Sequence, residues 1–328
     1  MEALMNYFSS LPGACAQGMI WGIMAIGVYI TYKILDIADL TVDGSICTGA
    51  AVCAMMMTLG APLPVAMICA FIAGMLAGAI TGFFHTFMGI PAILSGILTQ
   101  LILWSVNLKI MGIARDSSSA ANIALSARNF DLCVSMMEMH KSLIVLEVFA
   151  VVIIATLYWF FGTEYGSTLR ATGANPAMSR AQGISTSKSK VVGLVLSNGI
   201  VALSGSLLAQ YQGNADINMG KGAIVIGLAA VIIGEALFGW LSKNNFALKL
   251  ISVTLGGIVY FVVYSTVIFI GLDTNYLKML SAIVVALFLA VPYWKKKYFS
   301  NPDNIEKKLA KAQLKAQQKE VNKREGDK

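Results

Sequence analysis

Residues 142–161 read SLIVLEVFAVVIIATLYWFF, a run of twenty positions whose only charged side chain is Glu147. An α-helix rises about 1.5 Å per residue, so a run of this length spans the hydrocarbon core of a bilayer, which is about 30 Å thick. The run therefore predicts a membrane-spanning helix. Eight further apolar runs predict spans near 14–33, 45–59, 64–87, 91–112, 190–210, 222–240, 247–270 and 276–293.

The composition of the whole chain agrees with this interpretation. Hydrophobic residues make up 57% of the 328 residues and charged residues make up 12%, and the mean hydropathy is +0.73. A soluble domain of this length has too small an interior to bury so much apolar surface. We predict an all-α fold, a polytopic transmembrane helical bundle of about nine spans within a range of eight to ten.

The formal net charge of +7 is concentrated at the end of the chain. After Tyr293 there are eleven Lys or Arg against five Asp or Glu, which accounts for +6 of the total. A basic tail after the last span is typical of a cytoplasmic terminus, whereas a nucleic-acid-binding protein carries its basic side chains on a folded soluble face. We predict a transmembrane domain over 1–294, a basic cytoplasmic tail over 295–328, and no nucleic-acid partner.

The basic residues between the spans predict the orientation, because cytoplasmic connections are enriched in Lys and Arg. The most basic positions are Lys33, the polar connection 163–189 and the tail. Nine spans bring these three to one side only if the amino terminus lies outside and the carboxy terminus lies in the cytoplasm. Connection 113–141 then lies outside, and its basic residues are balanced by acidic ones.

Metal sites, disulfides and catalytic residues are not indicated by this sequence. Its five cysteines lie mostly in apolar stretches without CxxC or Cys–His spacing, and the chain has only two histidines. We therefore expect neither a metal centre nor covalent catalysis in this chain.

Small residues recur at helical spacing within two predicted spans. Gly74, Gly78 and Gly82 follow one another every four residues, and Gly18 and Gly22 do the same in the first span. Such stripes allow helix backbones to approach closely in lipid. We interpret them as packing surfaces.

The polar connection between the fifth and sixth spans, residues 163–190, reads TEYGSTLRATGANPAMSRAQGISTSKSK. Its pattern predicts a helix over Ser167 to Ala174, a break at Asn175 and Pro176, and a second short helix up to Gly183. Proline cannot continue a helical hydrogen-bond ladder but is well suited to begin one. An amphipathic helix pair at the membrane surface is a docking element for a soluble partner, and an ordinary basic loop is the simpler alternative.

Three carboxylates, Asp36, Asp39 and Asp43, lie between the first span and an unusually short second span. Part of this turn is therefore expected at membrane depth, where a helix amino terminus offers free N–H groups to an anionic group of a solute. We assign Asp39, Thr41, Asp43 and Ser45 to a candidate substrate pathway, with Thr41, Asp43 or Ser45 as the helix cap. The alternative is that the carboxylates only cap helices at the cytoplasmic interface.

The fourth span carries three polar or amphipathic side chains on one predicted helix face. Gln100, Trp104 and Asn107 are spaced i, i+4 and i+7. They are candidates to line the substrate pathway, with Trp104 meeting an aromatic or apolar solute, or else to form hydrogen bonds with a neighbouring helix.

Four segments in order resemble a known family. The polar connection resembles the cytoplasmic coupling loop of the permeases for branched-chain amino acids and ribose. LDIADLTVDGSICTGAA (35–51), GILTQLILWSVNLKIMG (96–112) and GLAAVIIGEALFG (227–239) resemble a subgroup described as tryptophan/tyrosine transport permeases. The matching positions of the coupling loop are Tyr165, Gly166, Arg170, Gly173, Asn175, Ala177, Arg180, Gly183 and Ile184.

The resemblance implies a permease subunit of an ATP-driven importer in the bacterial cell membrane. It also implies three kinds of partner: a second permease copy, a cytoplasmic ATP-binding subunit and an extracytoplasmic solute-binding lipoprotein. An aromatic amino acid is the favoured solute. The stretch ARDSSSAANIALSARNF (114–130) does not match the subgroup, which leaves the solute open.

The energy source would then lie on another chain. The sequence contains no G-x-x-x-x-G-K-[ST] pattern, and NMGKGA near Gly220 lacks both its spacing and its hydroxyl. We therefore expect no cofactor on this chain, with ATP and Mg²⁺ bound by the partner ATPase.

Two alternatives remain open. An ion-coupled secondary transporter would use embedded carboxylates as ion sites, and the candidates are Asp39, Asp43, Glu147 and Glu235. Glu235 also lies close enough to the cytoplasmic end to pair with a coupling-loop arginine. The second alternative is an importer of the same family for a sugar or a nucleoside.

Overall fold

The computed structural model describes residues 2–125, 130, 132–240 and 245–269, together with residues 279, 282, 283, 285–287 and 290. The chain divides into two compact units, residues 1–281 and 282–328. The helices and strands that follow belong to the first unit. The predicted ninth span falls mostly outside the described residues, and the predicted tail 295–328 falls entirely outside them.

Helices form most of the first unit. A π-helical turn, Ile30–Ile34, continues the first helix. The helices are α1 (Glu2–Tyr29), α2 (Val42–Thr58), α3 (Leu63–Thr86), α4 (Ala92–Ile113), α5 (Met139–Gly162), α6 (Glu164–Ala174), α7 (Pro176–Ala181), α8 (Thr186–Gln212), α9 (Ala223–Phe238) and α10 (Phe246–Phe269).

Helices occupy eight of the nine positions where the sequence predicts a span. Six of them are long and apolar enough to cross a membrane: α1 with its π-helical turn, α3, α4, α5, α8 and α10. The other two, α2 and α9, are apolar but have only 17 and 16 residues. The predicted helical bundle is therefore confirmed. Its helices α2 and α9 are shorter than the six that are long enough to cross a membrane.

The inner helices are α1 and α8, and the outer helices are α4 and α5. Most of α8 is buried, whereas α5 is largely exposed. Most exposed side chains of the outer helices are themselves apolar, as Leu101, Ile144 and Val151 illustrate, although Lys109 of α4 and Glu147 of α5 are also exposed. An apolar outer face on a compact bundle is the arrangement that lipid requires.

The same packing order occurs twice in the bundle. Helix α1 packs on α10, and α8 packs on α3. The short helix α2 packs on α8, and the short helix α9 packs on α1. The helices α1–α3 and the helices α8–α10 therefore form two similar helix triplets. Each triplet contains one long inner helix followed by one short helix.

The connection between α4 and α5 is ordered against the bundle over its described residues. Its strand β1 (Asn122–Ala124) pairs antiparallel with β2 (Asn214–Asp216), which follows α8. The Leu125 amide continues the pairing by donating to the Gly213 carbonyl at 2.8 Å. The amide of Cys133 donates to Gln210 Oε1 at 3.3 Å. This connection therefore covers the end of the inner helix α8.

The glycine stripes are packing surfaces, as the sequence predicts. A Cβ atom added at Gly74 or Gly78 would overlap the α8 backbone at the carbonyls of Asn198 and Leu194. A Cβ atom at Gly22 would lie 2.9 Å from the Thr254 carbonyl oxygen of α10. Each long inner helix is thus held against its neighbour by direct backbone contact.

We predict that Gly78→Ala destabilises the bundle by about 1–3 kcal/mol, because the added methyl group forces α3 away from α8. The thermal unfolding midpoint of the purified protein in detergent measures this effect. Gly162→Ala is the matched control, since a Cβ atom there meets no heavy atom within 4 Å. Equal midpoints for the two variants would contradict the close-contact assignment.

Candidate functional site

The segment between α1 and α2 enters the bundle. Leu35, Ile37, Asp39 and Thr41 are all buried, although the segment is not helical. Asp36 adopts a left-handed conformation with φ of 54° and stays exposed. Alternate residues of this turn are therefore buried in the bundle, and its position at membrane depth stays a prediction.

Asp39 is held by a buried hydrogen-bond network that joins two helices. Its Oδ1 accepts from the Thr41 amide at 2.9 Å, and its Oδ2 accepts from Asn198 Nδ2 of α8 at 2.7 Å. Ser45 Oγ of α2 donates to Asn198 Oδ1 at 2.6 Å. Burial raises the pKa of the Asp39 carboxyl, and the bonds from Thr41 and Asn198 oppose that shift.

A chain of hydroxyl groups extends from the same segment. Thr41 Oγ1 lies 2.7 Å from Thr81 Oγ1 of α3, which donates to Thr99 Oγ1 of α4 at 2.9 Å. Thr41 occupies the cap position of α2, yet its hydroxyl makes no capping bond to that helix. Thr41, one of the three predicted cap residues, is therefore the residue at the cap position, and its hydroxyl bonds to Thr81 instead of to an amide of α2.

Asp43 joins the amino-terminal ends of the two short helices. It lies in the first turn of α2, and its oxygens accept from the Gly222 amide at 3.1 Å and from the Ile224 amide at 2.8 Å. Both amides belong to the start of α9, so Asp43 caps α9 and not its own helix. The carboxylate is stabilised there because the free N–H groups and the dipole of a helix amino terminus favour negative charge.

The segments that lead into the two short helices share a local motif, which begins at Asp39, three residues before α2, and at Asp216, seven residues before α9. Asp39 accepts the amide of Thr41 two residues later, and Asp216 accepts the amide of Asn218 at 2.7 Å in the same way. The Cys47 thiol of α2 also donates to the Asp216 carbonyl at 3.1 Å. The two helix triplets therefore meet near the starts of their short helices α2 and α9.

The three candidates on α4 do not share one environment. Asn107 is 1% exposed, and its side-chain oxygen and nitrogen both lack a hydrogen-bond partner. Gln100 is partly buried against α2 near Gly44, while Trp104 is 49% exposed on the outer side of the helix. Asn107 is thus a buried polar group that is available to a solute or to water, whereas Trp104 faces outward.

The coupling loop forms the helix pair that the sequence predicts. Asn175 separates α6 from α7, and its Oδ1 accepts from the Met178 amide at 3.0 Å. Pro176 is the first residue of α7. Helix α6 begins three residues earlier than predicted, because Thr163 Oγ1 accepts from the Gly166 amide at 3.4 Å. After α7, Gly183 adopts a left-handed φ of 80°.

Helix α6 is attached to the bundle through its glycines and Arg170. A Cβ atom at Gly173 would overlap the Ile34 carbonyl at the end of the first span, and one at Gly166 would overlap the backbone of Phe161. The Arg170 guanidinium donates to the Phe161 carbonyl. Three of the loop residues predicted to contact a partner therefore also hold the helix pair against α1 and α5.

The opposite face of the pair is free to contact a partner. Tyr165 is 72% exposed, and Met178 and Arg180 are also exposed. Asn175 is exposed at the break, and Ile184 is partly buried. The coupling loop thus has a fixed base and an accessible outer face.

The remaining predicted carboxylates differ in position. Glu235 forms an ion pair of 2.9 Å with Lys33, so the expected pairing with a coupling-loop arginine is wrong. Glu147 is exposed on α5. The described residues contain no group of three or more His, Cys, Asp or Glu side chains that could hold a metal ion.

Sequence reasoning missed the partners of Asp39 and Asp43. Asn198 lies in the apolar run 190–210, where a side-chain amide directly before a Gly–Ile pair was the available signal. Thr81 and Thr99 gave no signal, since hydroxyls are common in membrane helices and usually bond to their own backbone. The amides at Gly222 and Ile224 carry no sequence information at all.

We predict that Asp43→Leu destabilises the protein by about 1.5–3 kcal/mol, because two amides at the start of α9 lose a charged acceptor. Asp43→Asn keeps one acceptor oxygen and should lose less. Thermal unfolding in detergent measures both variants. A midpoint for Asp43→Leu at or above that of the unmodified chain would show that the carboxylate does not hold the two short helices together.

Comparisons with known proteins agree with this architecture. Residues 11–291 match the family described as branched-chain amino acid transport system / permease component. The chain is 39% identical over 284 residues to the tyrosine transport system permease protein of Clostridioides difficile, which covers 86% of this chain and 91% of that protein. It is 38% identical over 279 residues to an uncharacterized protein of Rickettsia prowazekii, with 84% and 95% covered.

More distant likenesses point the same way. The autoinducer 2 import system permease protein LsrC of Salmonella typhimurium is 24% identical over 222 residues, which cover 65% of this chain and 58% of that protein. Among solved structures, PsaBC from Streptococcus pneumoniae in complex with Fab has a similar fold, with a TM-score of 0.51 and 16% identity over 90% of this chain and 99% of that chain. This chain belongs to the family of permease components of branched-chain amino acid transport systems.

Proposed function

We propose that this chain is the transmembrane permease subunit of a bacterial ATP-driven importer for an aromatic amino acid, with tyrosine or tryptophan as the solute. The 39% identity to a protein named for tyrosine transport supports the solute class. The observation that carries the proposal is the helix pair α6–α7, whose base is fixed to the bundle and whose outer face is exposed.

The helix pair acts as a lever between a cytoplasmic ATPase and the bundle. Movement of a partner bound at Tyr165, Met178 and Arg180 is transmitted through Gly173 to the end of the first span at Ile34. Because packed interfaces have discrete arrangements, a push at this contact can favour one of two states. ATP and Mg²⁺ are bound by the partner ATPase, and this chain contributes no catalytic group.

The proposed topology has nine spans, with the amino terminus outside and the coupling loop and tail 295–328 in the cytoplasm. The basic residues of 163–189 and the tail support this orientation. The described residues of connection 113–138 then cover the outer end of α8, where a solute-binding lipoprotein would deliver its cargo. Its β-pairing with 214–216 supports a defined docking surface on that side.

The solute path is proposed along the side of the bundle formed by α2 and α4. Asn107 supplies an unpaired buried amide, and Trp104 presents an indole that can contact an aromatic ring. A second permease copy placed against the apolar outer face of α4 would enclose Trp104 at the interface between the two copies. A homodimer with a central path follows from this arrangement.

An ion-coupled transporter is the second candidate, and the hydrogen bonds of the carboxylates disfavour it. Both oxygens of Asp43 accept amides of α9, and both oxygens of Asp39 accept from Thr41 and Asn198. A carboxylate whose two oxygens each accept a structural hydrogen bond would have to share or break these bonds in order to bind an ion in each transport cycle.

Uptake by proteoliposomes that contain the permease, its ATP-binding subunit and its binding protein tests the proposal. We predict that tyrosine accumulates only with hydrolysable ATP and continues after ionophores collapse the ion gradients. Excess tryptophan should compete with labelled tyrosine. A non-hydrolysable ATP analogue is the control for nucleotide binding alone.

Two outcomes would overturn the proposal in different ways. Gradient-driven uptake without ATP would favour the ion-coupled transporter. ATP-driven uptake of a sugar or nucleoside, with no transport of aromatic amino acids, would keep the class of importer and replace the solute.

A further inference from the structure

A basic cleft of about 910 Å³ opens beside the coupling loop. It lies where the first span and α5 end, where α6 runs across the bundle, and where α10 begins. Its lining combines three cationic side chains with exposed aromatic rings: Lys33, Arg170, Lys249, Tyr158 and Trp159. Gly173 and Arg170, which attach the lever to the bundle, line one wall of this cleft, and the proposed solute path lies elsewhere.

The charge of the cleft is positive after its internal ion pair is counted. Lys33 is balanced by Glu235 at 2.9 Å. Arg170 and Lys249 are exposed and form no ion pair with another described residue. The Arg170 guanidinium is held in place by its bond to the Phe161 carbonyl, so it presents its other N–H donors from a fixed position. A planar guanidinium with free donors is well suited to a phosphate group.

The aromatic side chains place the cleft at the level of the lipid headgroups. Trp159 is 72% exposed and Tyr158 is 54% exposed, at the end of a helix whose exposed side chains are mostly apolar. Trp240, just beyond the end of α9, is 74% exposed at the same end of the bundle as Glu235 and Lys33. Trp and Tyr rings collect at the membrane–water interface because one part of each ring system is apolar and the other is polar.

We propose that this cleft binds the phosphate of an anionic phospholipid headgroup, whose acyl chains lie against the exposed face of α5. Basic pockets between membrane helices recognise such headgroups. A bound headgroup would bridge Arg170 on α6 and Lys249 on α10, so it would tie the lever to the bundle at a second point beside Gly173. The adjacent apolar face of α5 favours a lipid over a soluble ligand or a contact with the ATPase.

Native mass spectrometry of the full chain in detergent tests the site with phosphatidylglycerol and phosphatidylcholine at equal concentration. We expect the unmodified protein to retain phosphatidylglycerol in preference to phosphatidylcholine. Lys249→Gln should lower phosphatidylglycerol retention about fivefold, and adding Arg170→Gln should lower it further. Lys188→Gln, which removes the same charge from an exposed position outside the cleft, should leave retention unchanged.

Four results would overturn the proposal. Equal retention of the two lipids, or unchanged retention by the Lys249→Gln variant, would remove the headgroup site. Displacement of phosphatidylglycerol by inorganic phosphate would make the cleft a site for free phosphate. Loss of ATPase co-purification by Lys249→Gln, with lipid retention intact, would make the cleft a protein contact. Lys249→Gln keeps the Arg170 bond to Phe161, and an unchanged elution volume would exclude misfolding.

Discussion

The contact between Gly173 of α6 and the Ile34 carbonyl is the constraint on which the rest of the arrangement depends. There is no room for a side chain at this position, so the exposed helix pair lies directly on the backbone where the first span ends. Gly166 and Arg170 fix the same helix to the end of α5. An exposed element attached by backbone contacts cannot shift without moving the inner helix beneath it.

A continuous series of contacts leads from this point into the bundle. The chain passes from Ile34 through buried Leu35 to Asp39, which is bonded to Asn198 of α8, and then to Asp43, which holds the start of α9. The elements joined in this way are the two short helices and one long inner helix. This series of contacts supplies the physical route that a lever at α6 needs. The Lys33–Glu235 ion pair adds a second connection from the end of the first span to α9.

The sequence predicted most of the fold because its signals are local. Apolar runs gave eight of the helices, and Asn175 followed by Pro176 gave the break between α6 and α7. The site was less predictable because its partners are distant in the chain: Asp43 caps a helix that begins 180 residues later, and Thr41 bonds to Thr81. The spacing of Gln100, Trp104 and Asn107 places them on one side of α4. Their burial depends on the helices packed against α4, so Asn107 is buried while Trp104 is exposed.

A lever that is driven by a cytoplasmic ATPase requires the helix pair α6–α7 to lie on the cytoplasmic side of the membrane. Met178→Cys, in a chain whose five native cysteines are replaced, gives one exposed thiol on α7. A membrane-impermeant maleimide should label it in inside-out vesicles and not in intact cells, and the bound ATPase should protect it. Labelling of this thiol in intact cells would place the helix pair outside and contradict the account.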